Sequence, residues 1–307
     1  MTSRRLPMAV SVLAAVLLGM SACSSAAPVP VPTSALPPRP AVAAGLRPSK
    51  VLVVVEENQT AGTARRQMPY LAALGDAYGQ TTNYRAVAHP SLPNYLAIAA
   101  GSTFGVTDDA DPAGHLIPGP SVFDGAIAAG RSAKTYAEAM PRPCVQQPAG
   151  RYAVKHNAWA YFADPAPHGN CQRFDVPAGT PTSGSLRSDI DAGALPTVGA
   201  LIPDLCHDGH DCSLGTADDW LRQWLPVVMA GPDYRAGNLA IVVTFDEDDN
   251  SGPNTVLTTV IAPNVVHVRS SAALTHYSLS GYLAELAATP PLGAAASAPS
   301  LRAVFGI

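Results

Sequence analysis

Charge is scarce in this chain. Asp, Glu, Lys and Arg make up 14% of 307 residues, hydrophobic residues make up 47%, and the formal net charge is -4. No basic patch or Lys/Arg stripe interrupts the sequence, which argues against a nucleic-acid partner. There is no CxxC pair, so a zinc ribbon is disfavoured. A glycine-rich nucleotide loop is missing, and so is any internal repeat. The apolar run Met8–Met20 is shorter than the ~20 residues of a membrane-spanning helix. What remains is a weakly charged chain with enough apolar residues for one large α/β domain or two small ones.

The N-terminus reads as a targeting segment. Arg4 and Arg5 precede the apolar run, and Met20-Ser21-Ala22-Cys23 follows it. Small residues before a cysteine resemble a bacterial lipobox, in which Cys23 is acylated. Residues 1–22 are then a signal peptide, and an exported protein is anchored to the membrane through Cys23. If the lipobox reading fails, the protein is secreted. Removing that segment drops two arginines and no acid, taking the net charge from -4 to -6. Residues 23–49 are Pro/Ala-rich and read as a linker, with the domain over 50–307. Beyond Cys23 there are four cysteines, Cys144, Cys171, Cys206 and Cys212. An even number in an exported chain suggests two disulfides. The expected pairs are Cys144–Cys171 and Cys206–Cys212, out of three possible connectivities.

Two stretches carry the strongest chemical signal. Leu239–Asn250, LAIVVTFDEDDN, is a buried-strand pattern that runs into four consecutive acids, and Val51–Asn58, VLVVVEEN, does the same with Glu56-Glu57-Asn58. Clustered carboxylates repel one another, and a divalent cation relieves the repulsion. A solvated acidic loop is the alternative for either stretch alone. Ser91, in HPSLPNY, sits where a strand turns into a helix closed by Gly101. Backbone N–H groups and the helix dipole there favour an anion, and a serine so placed near a metal can act as a nucleophile. Its alternative is a helix cap. Val198–Ile202 leads into PDLCHDGHDC, which crowds His207, Asp208, His210 and Asp211 onto one loop. Lys155 and His156 are either phosphate contacts or surface residues. Asp108–Pro120 is a Gly/Pro/Asp loop with no reading attached. Trp220, Leu221, Trp224, Val227 and Val228 form a helical core stripe. Strands alternate with helices, which predicts an α/β sandwich around a mostly parallel sheet, with these segments gathered beyond its strand ends.

In order along the chain stand VVVEEN, HPSLPNYLAIAAG, IPDLCHDGHD with DDWL downstream, VVTFDEDD and THYSL. This series resembles the phosphoesterase family of bacterial phospholipases C and secreted acid phosphatases, within the alkaline phosphatase-like superfamily. The nearest likeness is to small secreted acid phosphatases of actinobacteria, over residues 50–290. The resemblance implies a divalent metal of unknown identity held by Glu57, Asn58, Asp246 and Glu247, with Asp204 and Asp211 joining the ligand set. It implies Ser91 as nucleophile, His210 as proton donor, and Asn94, His156, His276 and His89 as phosphate contacts. The loop departs from the family pattern at Asp204, His207 and Gly209, which stand for Asn, Asn and Met. The implied activity is hydrolysis of phosphate monoesters through a phosphoserine, by a monomer acting on a phosphorylated small molecule or a phospholipid. A phospholipase C-like phosphodiesterase is the alternative within that chemistry. A non-catalytic metal- or phosphate-binding lipoprotein is the alternative outside it.

Overall fold

A computed structural model describes residues 1–2, 36–43 and 45–307. Residues 3–22 of the expected signal segment and Cys23 lie outside the described residues, as does most of the Pro/Ala-rich stretch. Ten strands appear in chain order: β1 Lys50–Glu56, β2 Gly79–Thr81, β3 Tyr84–Arg85, β4 Ala133–Ala137, β5 Asp175–Pro177, β6 Val198–Ile202, β7 Leu239–Phe245, β8 Thr258–Ile261, β9 Val268–Ser270 and β10 Leu274–Thr275. Eight of them form one sheet in the order β5-β4-β6-β1-β7-β8-β2-β9, and β10 pairs with β3 separately. Pairing runs parallel from β5 to β7 and between β2 and β9, while β8 is antiparallel to both its neighbours. The α/β sandwich with a mostly parallel sheet is therefore present.

β1 and β7 are central because their side chains are apolar on both faces. Every residue of β7 is buried, and in β1 only Lys50 is not. Helices Ser91–Ala100, Val122–Ala128 and His276–Ala287 pack together on one face, and Pro69–Ala77, Leu214–Ala230 and Pro232–Arg235 cover the other. The expected stripe on Leu214–Ala230 buries Trp220, Leu221, Trp224 and Val228. Each such side chain contributes roughly 1.5–3 kcal/mol by leaving water.

Local differences from expectation have local causes. Tyr70, Leu71, Leu74 and Tyr78 at helical spacing predict one helix over about Ala64–Tyr78, but two form, Ala61–Gln67 and Pro69–Ala77. Pro69 has no N–H to continue the first ladder and is well suited to open the second. The segment ahead of β1 also lies against the domain. Arg39 places its guanidinium 4.3 Å from the Tyr78 ring centroid and donates to the Ala77 carbonyl, and Pro48 is buried. Cys144 pairs with Cys171 and Cys206 with Cys212, as expected. Among the described residues no helix is long and apolar enough to cross a membrane.

Candidate active site

β1 and β7 are parallel neighbours in register, with Val55 opposite Thr244 and Glu56 opposite Phe245. Their polar C-terminal residues must therefore emerge side by side. The chain leaves β1 through Asn58, whose φ of 53° is left-handed, a region Asn tolerates better than most residues. The Asn58 N–H donates to Asp246 Oδ1 at 3.0 Å, and the Glu247 N–H donates to the same oxygen at 2.7 Å. The two strand ends are thus stitched together through the Asp246 carboxylate.

Helix Ser91–Ala100 delivers the serine. Pro90 is its N-cap residue and makes no side-chain cap bond, so the Ser91 hydroxyl is not a cap. It donates instead to Glu57 Oε2 at 3.1 Å. One turn further, Tyr95 donates to Glu57 Oε1. The C-terminal end of this helix turns at Gly101, φ 63°, where an added Cβ would lie 2.1 Å from the Leu292 carbonyl oxygen. His156 stacks on Tyr95 with centroids 5.0 Å apart. Its Nε2 lies 3.2 Å from Glu57 Oε1 and its Nδ1 3.1 Å from Asp208 Oδ2, though neither contact is aligned as a hydrogen bond.

Glu57, Ser91, His156, Asp208 and Asp246 are all buried, Ser91 to 1% exposure. Their electrostatics follow from that burial. Desolvation pushes Glu57 well above its ordinary value; Asp246 and Asp208 add repulsion, which Tyr95 and Lys155 oppose. Burial raises Asp246 to about 6 and Asp208 to about 7. Burial and then Asp246 raise Glu247 to about 8. Burial, then Lys155 and His210, hold His156 well below the ordinary imidazole range. Protein groups alone therefore leave these acids short of compensating positive charge.

Several expected residues serve other purposes. Asn94 is not available to a phosphate. Its Oδ1 accepts from the Val87 and Ala88 N–H groups, each at 3.0 Å, and its Nδ2 donates to the Ala88 and Pro90 carbonyls. It folds the loop that presents Ser91. His276 is also fully used, with Nε2 2.6 Å from the Asp246 carbonyl oxygen and Nδ1 3.2 Å from the Tyr84 hydroxyl. Burial lowers it to about 4, so it stands as a neutral prop beneath Asp246. His89 lies against Glu247, with Nδ1 2.7 Å from Oε2, and its Nε2 is 3.4 Å from Asp248 Oδ1.

The disulfide-clipped loop divides its acids. Asp208, to which no role was assigned from the sequence, is the one that turns inward. Asp211 is 56% exposed and holds His210, with Oδ1 2.8 Å from Nδ1. Asp204 caps the loop through the Cys206 and His207 N–H groups and groups with Glu138 and His207. Asp204 and Asp211 thus turn to partners other than Glu57 and Asp246. Gly209, φ 90°, supplies the turn between the inward and outward acids. Two further residues complete the mouth. Lys155 Nζ lies 2.9 Å from Asp109 Oδ2 and 3.4 Å from His210 Nε2, and Asp109 Oδ1 accepts from the Leu92 N–H at 2.9 Å. Lys155 stood out in the sequence beside His156. Asp109 lay in a loop without periodicity.

A buried serine and buried carboxylates gather at the ends of the central parallel strands, an arrangement suited to the hydrolysis of phosphoric esters. Residues 50–255 match the Phosphoesterase family, and the chain belongs to it. It is 31% identical to the phosphatidylinositol-3-phosphatase of Mycobacterium tuberculosis, over 83% of this chain and 82% of that one. It is 28% identical to the phosphate-repressible acid phosphatase of Penicillium chrysogenum and 26% identical to an acid phosphatase of Aspergillus fumigatus, over 69% and 75% of this chain. It spans about half the length of each fungal relative, 52% in both. In fold it is similar to a Vibrio parahaemolyticus protein of the alkaline phosphatase superfamily, with TM-score 0.53 and 11% identity over 85% of this chain and 72% of that one.

Proposed function

We propose that the protein hydrolyses phosphate monoesters through Ser91, with a divalent cation held by Glu57, Asn58, Asp246 and Glu247. One observation carries the reading. The Ser91 hydroxyl donates to Glu57, and at the ends of β1 and β7 the buried atoms Asn58 Oδ1, Asp246 Oδ2 and Glu247 Oε2 have no aligned hydrogen-bond donor. Buried oxygens are rarely left without a partner, and a cation would be one for Asp246 Oδ2, while Glu247 Oε2 also has His89 Nδ1 at 2.7 Å. A tighter trio, Glu138, Asp204 and His207, gathers its ligand atoms within 4.8 Å. We favour the Ser91 site because the trio's oxygens already accept from Trp220 Nε1 and from the backbone N–H groups of residues 204, 206 and 207.

A divalent cation in that place supplies charge that favours ionised Ser91 and offsets the phosphoryl oxygens. Glu57 accepts the serine proton and orients Oγ. The Ser91 Oγ–P bond forms as the ester P–O bond breaks, and His210, held by Asp211, delivers a proton to the leaving oxygen. Water then attacks the phosphoserine, phosphate departs and Ser91 regains its proton.

The M. tuberculosis relative favours a second specification, a monoester on a lipid headgroup, over the diester alternative. Export and a lipid anchor at Cys23 belong to the same proposal, as does action as a monomer. Hydrolysis of an aryl phosphate by the full chain and its Ser91→Ala variant tests the nucleophile. A loss of at least about 10³-fold is expected, and undiminished turnover sinks the assignment. Running a phosphodiester alongside separates monoester from diester preference.

A further inference from the structure

The Asp109 carboxylate does what a phosphate would be expected to do. One oxygen takes the Leu92 N–H, the first backbone donor after Ser91, and the other takes the Lys155 ammonium at 2.9 Å. Both donors suit an anion: one is at a helix start, the other is a point charge. Glu57, to which the Ser91 hydroxyl donates, is wholly buried, and so is Asp246, whose Oδ1 takes the Asn58 and Glu247 N–H groups while Oδ2 is left unpartnered. Ser91 itself is 1% exposed, and the Asp109 carboxylate sits on the N–H of the next residue, Leu92. Asp109 is 29% exposed and belongs to no helix or strand. It is the part of this arrangement best able to withdraw.

We propose that the Leu92 N–H and the Lys155 ammonium form the phosphoryl-oxygen subsite, and that Asp109 is an internal competitor which a phosphate dianion displaces. This rests on Ser91 being the reacting serine. Lys155 then favours a monoester, whose phosphoryl group keeps a second negative charge, over a diester. Asp109 has two consequences. It neutralises Lys155 when no substrate is bound, and it weakens apparent affinity by the fraction of time it occupies the subsite.

The alternative is that Asp109 merely positions Lys155, and the two readings predict opposite signs. The test is calorimetric titration of inorganic phosphate into the full chain with a divalent cation present. Wild type is compared with Asp109→Ala, Lys155→Met, Lys155→Arg and Asp111→Ala. Asp111 lies on the same loop and accepts from the Ala113 N–H instead. Asp109→Ala is expected to tighten phosphate about tenfold. Lys155→Met is expected to weaken it about tenfold or more, and Lys155→Arg to restore most of the loss. Asp111→Ala is expected to change it less than about twofold, since an exposed charge that makes no contact with the subsite is screened. Unchanged or weaker binding in Asp109→Ala overturns the proposal, as does unchanged binding in Lys155→Met. Equal tightening by Asp111→Ala overturns it too, by reducing the effect to loop charge. Kinetics separate this from the hydrolase reading. Lys155-dependent phosphate binding without any turnover sinks only the hydrolase. Serine-dependent turnover with phosphate affinity indifferent to both residues sinks only the subsite.

Discussion

Tyr95 and Ser91 stand one helical turn apart and donate to opposite oxygens of one carboxylate, Glu57. The i, i+4 spacing puts both hydroxyls on the same helix face, and the buried Glu57 keeps its acceptors satisfied through them. Tyr95→Phe leaves one of those oxygens without its donor. The expected cost is about 1–3 kcal/mol of stability, together with lower turnover at nearly unchanged KM. Denaturant melts and steady-state kinetics check this. A variant with wild-type stability and turnover would show that Glu57 does not depend on the phenol.

His276 was expected to meet phosphate, and the structure gives it the opposite task. Both ring nitrogens are engaged inside the protein and the residue is 0% exposed. His276→Ala should therefore cost about 2–4 kcal/mol by leaving a cavity and orphaned partners. Phosphate affinity of the folded fraction should be retained. A normal melting temperature with lost phosphate binding would restore the ligand role.

How far the site could be read in advance depended on whether a residue's place follows from the pattern of its own segment or only from the partners it packs against. β1 and β7 announced themselves because an apolar run followed by acids has few other uses, and their parallel register brings the acids together. The strand-to-helix switch marked Ser91's place at a helix start, while the local pattern fitted a cap as well and the nucleophile reading came from the family resemblance. The fates of Asn94 and His276 were not legible, because each is decided by packing partners: Asn94 by a backbone loop, His276 by Tyr84 and Asp246, far away in sequence. In the Asp204–Asp211 loop, spacing showed the density of ligand types but not their directions. The left-handed turn at Gly209 and the 206–212 disulfide decide that Asp208 faces inward while Asp211 faces out.

Removing divalent cations should weaken the fold and abolish turnover together. The chelated full chain should melt lower, and restoring the cation at about 100 times its dissociation constant should return about 2.7 kcal/mol. Asp246→Asn should abolish most of that return, because Asp246 Oδ2 is one of the oxygens left for the ion. Turnover should fall about 100-fold or more in both cases. Calorimetric melts across a chelator and cation titration give the answer. A melting temperature and a rate indifferent to chelation would remove the cation from the proposal.

Asp175 offers a pH test away from the Ser91 site. It is buried against Thr135 and Asn157, and burial raises it from 3.8 to about 7, with those two hydrogen bonds opposing. A carboxyl whose folded pKa is raised binds more protons folded than unfolded. Its stabilisation is complete at or below pH 3.8 and is lost as the pH climbs to about 7, where the loss levels off. The slope approaches roughly 1.4 kcal/mol per pH unit inside the window. Asp246, Asp208 and Glu247 contribute in the same direction, so the comparison must be internal. Wild type should lose more stability between those limits than Asp175→Asn. Parallel slopes would mean that Asp175 is ionised in the folded protein throughout.

The Cys206–Cys212 disulfide closes a loop of sequence separation 6 around His207, Asp208, His210 and Asp211. A loop that short constrains the unfolded chain little, so loop entropy predicts a contribution of only about 2 kcal/mol. Its geometric effect should be larger. Asp208 reaches His156 from this loop, and His210 reaches Lys155 from it, so releasing the clip frees both contacts. The paired substitution of Cys206 and Cys212 by Ser is therefore expected to lower kcat about tenfold or more with a modest fall in melting temperature. The longer Cys144–Cys171 link, at separation 27, should show the reverse balance: a larger stability loss of about 3–4 kcal/mol and less effect on turnover. Melting temperatures and kcat for the two double variants, measured side by side, decide it. If removing Cys206–Cys212 costs only stability and leaves kcat intact, His210 and Asp208 are held by the rest of the fold.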